Sequence, residues 1–193
     1  DNGGRFLTNS AIGAYKYNGS SYRQTGLDVS EAARPHYQSR PLQQVTYNAF
    51  KSPVEISETG GDRISFDYNG SLGRSHSYYG GQQADKWQRR YRKHYSSDGS
   101  MEITHDVQGG KTSFVFYLGG DAYSAPAIWK EEHSAAGITK NLYYLHRDYL
   151  GSILLINDKT GAIREKRLFD AWGATVKWQD GQGHNLSTPL ILD

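Results

Sequence analysis

Apolar and polar residues alternate with a period of two along much of this chain. In Ser100-Met101-Glu102-Ile103-Thr104-His105-Asp106-Val107, Met101 and Ile103 share one face with His105 and Val107, while Ser100, Glu102, Thr104 and Asp106 share the other. That is the pattern of a strand. Turn formers separate such runs, and Asn18-Gly19, Asn69-Gly70, Asp98-Gly99 and Gly109-Gly110 predict two-residue hairpin turns. The longest ordered stretch runs from Leu142 to Gly173. Tyr143 to Leu145 and Ser152 to Ile156 supply strand formers, Asn157 to Gly161 supply a turn with Gly at the position needing positive φ, and Ala162 to Phe169 return, so the stretch predicts a β-hairpin. Helix signals are short. Ser30 to Arg34 predicts one turn capped by Ser30 and ended by Pro35, and Lys130 to Ala136 predicts another ended by Gly137.

Aromatic clusters recur. Tyr15-Lys16-Tyr17-Asn18-Gly19, Val45-Thr46-Tyr47-Asn48, Phe66-Asp67-Tyr68-Asn69-Gly70 with Gly73-Arg74, Tyr91-Arg92-Lys93-His94-Tyr95 and Phe114-Val115-Phe116-Tyr117 follow one another at intervals of roughly 19 to 32 residues, a spacing that marks repeat architectures. Their form, an aromatic pair followed by Asn or Asp, Gly and often Arg, resembles the degenerate YD repeat. The succession Tyr144-Leu145-His146-Arg147-Asp148, Leu150-Gly151-Ser152 and Phe169-Asp170-Ala171-Trp172-Gly173 closely resembles the C-terminal core region of RHS/YD-repeat proteins, the family of polymorphic-toxin and Tc-toxin-C-like shells.

The resemblance implies an all-β fold: a curved antiparallel sheet of consecutive YD-repeat hairpins, forming a segment of a larger β-shell. Residues 1–141 would be degenerate repeat hairpins, and 142–193 the core-motif hairpin with the start of the following conserved region, in one continuous sheet. Tyr144, His146, Arg147, Asp148, Gly151, Ser152, Gly161, Phe169, Asp170, Trp172 and Gly173 are then motif residues with structural parts, and no catalytic, cofactor or metal residue is implied. In the family a downstream segment plugs the shell and is cleaved by aspartate chemistry to free a variable toxin. The chain stops ahead of that segment, so Asp148 and Asp170 correspond to upstream core motifs and not to the protease. The implied function is encapsulation and delivery of a C-terminal toxin by a secreted or surface-displayed bacterial protein. Its partners would be the remainder of the same polypeptide and the enclosed toxin domain, with secretion machinery or a cell-surface partner as further candidates. The competing expectation is an extracellular β-module that binds glycan or protein through exposed aromatics.

Composition agrees with strands and turns. Fifteen Tyr and 22 Gly stand against one Met, where long helices favour Ala, Leu, Glu and Lys. A mean hydropathy of −0.74 fits a sheet wetted on its faces. Zero Cys removes disulfides and thiolate chemistry, and no apolar run of about 18 residues predicts a membrane span, so no membrane insertion is expected of this segment. With a net charge of +2, the cluster Arg89-Arg90-Tyr91-Arg92-Lys93-His94 must be judged locally. Interleaved aromatics fit a nucleic-acid stripe, but no recognition motif accompanies it, and a two-sided strand with Arg and Lys stems lying over aromatics is preferred.

Enzymatic readings meet specific obstacles. His146-Arg147-Asp148 looks like a kinase catalytic triplet, but position 153 is Ile where a metal-holding Asn is required. Asn69-Gly70-Ser71-Leu72-Gly73 has Asn in place of the first Gly of a nucleophile elbow and lacks the following helix. The seven His (36, 76, 94, 105, 133, 146 and 184) show no His-Glu-x-x-His spacing, and Glu131-Glu132-His133 reads as a polar loop. No carboxylate pair stands out for glycoside hydrolysis. The chain is therefore expected not to be an enzyme and to need no cofactor.

Further expectations concern packing. Recurrent Tyr residues should stack in a ladder along successive strands, and a small cluster should form around Leu150, Ile153, Leu155, Ile163 and Leu168. Trp172 should pack on the sheet and anchor the 142–173 hairpin. The chain opens at Asp1 without Met, and Pro189-Leu190-Ile191-Leu192-Asp193 reads as a strand-like run cut where a neighbour would pair with it.

Overall fold

Among the residues described in the computed structural model (4–19, 21–37 and 42–192) the alternating segments become sixteen antiparallel strands, in which chain neighbours are also sheet neighbours from first to last. Short hairpin connections and no crossover are what closely spaced turn signals demand. Two units divide the chain. One holds residues up to His94 together with Asp106–Gly109, and the other holds Tyr95–His105 and Gly110 onward.

In the first unit β1 (Thr8–Asn9), β2 (Gly13–Tyr17), β3 (Gln24–Val29), β4 (Leu42–Tyr47), β5 (Pro53–Glu58), β6 (Arg63–Tyr68), β7 (Arg74–Tyr79) and β8 (Tyr91–Tyr95) are joined by turns, with α1 (Arg34–Tyr37) after β3 and a 3₁₀ turn (Lys86–Gln88) after β7. The Ser30 hydroxyl accepts the Ala33 N–H at 3.1 Å, so it does cap a turn. Pro35, however, sits within α1 instead of ending it, because a first-turn N–H has no helical partner to lose. The register Glu55↔Ser65, Ser65↔Tyr78 and Tyr78↔Arg92 places these residues in one row across β5–β8. The neighbouring row Phe66↔Ser77↔Lys93 alternates with it on the opposite face.

The second unit contains β9 (Met101–Asp106), β10 (Lys111–Leu118), β11 (Ala127–Ser134), β12 (Gly137–Arg147), β13 (Ile153–Asp158), β14 (Ile163–Phe169), β15 (Thr175–Asp180) and β16 (Asn185–Leu186). The helical turn expected at 130–136 is strand as far as Ser134, where β11 ends: cross-strand pairing of Lys130 to His133 with both neighbours outweighs weak local propensity. Leu142 to Gly173 forms two hairpins that share β13, not one. The core lies on one face, where Tyr117↔Ile128↔Tyr143 and Leu145↔Ile156 stand opposite each other. Val115, Ala125 and Ile191 complete it.

Three packing expectations are overturned. Leu150 is 75%, Leu168 48% and Ile163 38% exposed, so the expected cluster is not the core; Leu150 sits on a loop tip and Leu168 and Ile163 on the strand face away from Ile156. Trp172 is 93% exposed on the β14–β15 loop and anchors nothing. The run from Pro189 is not a strand: it turns back over the sheet and buries Ile191 in the core. Asp1 and Asp193 lie outside the described residues. Of the expected tyrosine ladder, the described residues show Tyr79 stacked on Tyr91 at 5.1 Å. Tyr17 and Tyr68 instead donate their hydroxyls to the carbonyls of Phe6 and Pro53, each at 2.6 Å, and Tyr47 donates to that of Gln24.

Candidate functional site

The motif residues from Asp148 to Gly173 build hairpin loops, and one device recurs. The Asp148 carboxylate accepts the N–H groups of Leu150 and Ser152, both at 2.9 Å, while Asp148 N–H donates to Ser152 O at 3.0 Å and Gly151 N–H to Asp148 O at 3.1 Å. Asp170 repeats it with the N–H groups of Trp172 (2.8 Å) and Ala174 (2.9 Å). Asp158, Asp180, Asn48 and Asn69 do the same at four further loops. Each loop needs a left-handed residue at its fourth position, filled by Gly151 (φ 90), Gly161 (φ 86), Gly173 (φ 83) and Gly183 (φ 92), but by Lys51 (φ 69) and Leu72 (φ 64) in the Asn loops. The strand pairing also slips at the residue before the turn, at Tyr17, Tyr47, Tyr68, Arg147, Asn157 and Phe169. In physical terms the repeat is a bulge, an aromatic or polar residue, and a side-chain-pinned turn.

This corrects the two-residue turns expected from Asn69-Gly70 and Gly109-Gly110. The first loop closes between Asn69 and Gly73 with positive φ at Leu72 and not at Gly70, and in the second only Gly110 (φ 61) is left-handed. At Asp98-Gly99 the closing pair is Ser96 and Met101. Asp98 there accepts from both Ser96 and Ser100, and these bonds hold its carboxyl down at about 2.

The remaining motif residues do not converge on a reacting centre. Arg147 donates to the carbonyls of Gly151 (2.7 Å) and Ala122 (2.9 Å), tying the β10–β11 loop to the β12–β13 loop. His146 Nε2 meets the Asn157 amide oxygen. Tyr144 is 42% exposed, and Phe169 is half-buried beside its bulge. Glu131, Glu132 and His133 lie on a strand, not a loop. Glu131 is held at about 2 by the Trp129 indole (2.8 Å), His133 and Lys140, and Glu132 pairs with Lys111 and Lys130. Among the described residues no group of three or more His, Asp or Glu is placed to hold a metal ion.

Two buried clamps went unseen in the sequence. Arg89, 1% exposed, uses its whole guanidinium fork. Nε donates to Gln83 O (2.9 Å), Nη1 to Ser65 Oγ (2.8 Å) and Tyr78 O (3.2 Å), and Nη2 to Glu55 Oε2 (3.0 Å) and Ala84 O (3.4 Å). It thereby pins the β7–β8 loop onto the face of β5–β7. Beside it Lys86 pairs with Asp67 (2.6 Å), and Tyr78 donates to Asp67 at 3.1 Å; burial and that carboxylate push the Tyr78 phenol up to about 12. Arg90 is bidentate to Asp106, and Arg92 donates to Trp87 O. Three arginines of the basic cluster are therefore engaged within the chain.

The second clamp is Glu165, fully buried. It accepts from Arg167 Nε and from the backbone N–H groups of Leu190 (2.7 Å) and Ile191 (3.0 Å). Arg167 Nη2 donates to Leu192 O (2.6 Å) and Lys130 Nζ to Ile191 O (2.8 Å). A carboxylate and two cations thus hold the returning segment by its main chain. The cues were present but mute: Glu165 and Arg167 alternate as any exposed strand pair would, and nothing local marks which face is covered.

With this geometry the chain is similar in fold to a portion of two solved complexes. The TcdB2-TccC3 crystal structure superposes on 88% of the chain at a TM-score of 0.57, and the TcdB2-TccC3-Cdc42 crystal structure on 88% at 0.54, both at 15% identity. The likeness is one of fold. The chain spans about a tenth of the length of either solved chain, 10% in each case. No family model and no curated protein matches it.

Proposed function

We propose that this chain is a non-catalytic wall segment of an RHS/YD-repeat shell that encloses a C-terminal toxin and helps deliver it from a secreted or surface-displayed bacterial protein. The observation that carries the reading is the serial hairpin sheet with a pinned turn at loop after loop, found together with fold similarity to the TcdB2-TccC3 structures. Most strand residues are half-buried on both faces, as a sheet used as a wall requires. The clamps at Arg89 and Glu165 serve the wall by sealing loops and a returning segment onto it. Limited proteolysis of the natural polypeptide that contains this sequence tests the reading. An enclosed C-terminal portion should resist trypsin at concentrations that digest the same portion once separated; equal digestion rates would contradict enclosure.

The exposure of Trp172 favours a second reading, in which the segment also presents a recognition surface through exposed aromatics.

A further inference from the structure

The connections that follow β10, β12 and β14 leave the second unit along the same edge, because alternate hairpins of an antiparallel sheet turn at the same side. Arg147 ties the first two together through Ala122 O, and a Cβ on Gly151 would lie 3.8 Å from Tyr123 O. Each tip projects an apolar residue: Tyr123 is 84%, Tyr149 95%, Leu150 75% and Trp172 93% exposed. Successive tips stand about 10 Å apart, twice the spacing of neighbouring strands.

We propose that this edge docks peripherally on the interface of a zwitterionic lipid bilayer. Tyr and Trp combine an apolar ring with a polar handle and settle at the headgroup level, and Leu150 adds an aliphatic side chain that reaches the acyl boundary. Residues 119–126, 148–152 and 170–174 contain three Asp and no Lys or Arg, so nothing at the edge attracts an anionic surface, and an uncharged one is the surface it fits. Its carboxylates are tied to their own loops: Asp148 and Asp170 accept from their loop amides, and Asp121 accepts from Tyr123 N–H and the Ser124 hydroxyl. Separate tips lack the closed, water-excluding patch that protein hot spots occupy. The pinned turns hold the rings ready, so little ordering opposes docking. Among the described residues no helix is long and apolar enough to cross a membrane, and docking of this kind crosses nothing.

Co-sedimentation of the chain with vesicles of pure palmitoyl-oleoyl-phosphatidylcholine tests the proposal, with Trp172→Ala and Leu150→Asp as variants and circular dichroism as the check on folding. The wild-type chain should sediment with the vesicles, each folded variant should partition at least about tenfold more weakly, and neither about 0.5 M salt nor added phosphatidylserine should change wild-type binding. Absence of wild-type binding, folded variants that bind equally well, or a requirement for anionic lipid would each overturn it. So would saturable binding of cellohexaose or chitohexaose that is lost in Trp172→Ala without any vesicle binding. Because the readout is independent of protease protection, failure here leaves the shell reading standing.

Discussion

Replacing Glu165 by Ala should release the segment that ends near Ile191. The side chain is fully buried and accepts hydrogen bonds from Leu190 N–H at 2.7 Å, Ile191 N–H at 3.0 Å and the Arg167 guanidinium. Removing it strands two backbone donors, at about 1–3 kcal/mol each when buried, and leaves a largely buried cation without its carboxylate. Breaking a buried pair by deleting one partner costs about 3–5 kcal/mol, and the two figures overlap because the segment relieves part of the penalty by detaching. Detachment withdraws Ile191 from the core it shares with Tyr143, Leu145 and Ile156, so the expected loss is about 3–5 kcal/mol in the second unit. Urea unfolding followed by hydrogen exchange at single amides measures it. Leu190 and Ile191 N–H should lose protection first, with β13 and β14 following at lower denaturant than in the wild type. Unchanged protection at these two amides, or a loss below about 1 kcal/mol, would refute the clamp.

Arg89→Met should destabilise the first unit by about 3–5 kcal/mol, because Glu55 and the carbonyls of Gln83, Tyr78 and Ala84 lose donors in a sealed site; thermal unfolding with exchange at β5–β7 amides measures this. Gly161→Ala should cost about 1–2 kcal/mol with no clash against the rest of the chain, since a Cβ there meets nothing within 4 Å and only the left-handed φ of 86 opposes it, whereas Leu72→Gly should be neutral or stabilising at φ 64; paired denaturant midpoints decide both. Stability should fall on acidification. The Asp98 and Glu131 carboxyls are held at about 2 in the folded chain, below their unfolded values near 4, so their contribution is complete above about pH 4 and is lost as pH drops through about 2. A stability profile flat from pH 6 to 2 would contradict the assigned hydrogen bonds.

Much of the fold was legible because it is written locally. Period-two alternation marked the strands, and the Gly at the close of Asn157 to Gly161 marked that turn, whereas the same device at Asp148, Asp170 and Asp180 emerged only from the hydrogen bonds of each Asp to its own loop amides. Where Leu72 and Lys51 occupy the left-handed position the turn was read too short at Asn69 and not at all at Asn48, because the carboxamide of either Asn and the closing backbone bonds carry a conformation that the residue type does not advertise. Burial was legible only in part. Leu150, Leu168 and Trp172 are apolar, yet a hairpin sheet puts loop tips and one whole strand face toward solvent, and sequence alternation alone does not say which face is covered. Here the answer comes from distant chain: Ile191 joins Ile128 and Ile156 in the core, and charged Glu165 and Arg89 are buried because partners 26 and 34 residues away meet them.

The most direct test of the wall reading is electron cryo-microscopy of the natural polypeptide that contains this sequence. The account predicts that β1–β16 continue by backbone pairing into flanking strands and line an enclosed cavity, with the pinned loops ranged along the sheet margins. A free-standing domain with both outer strands open to solvent and no cavity beside it would contradict it.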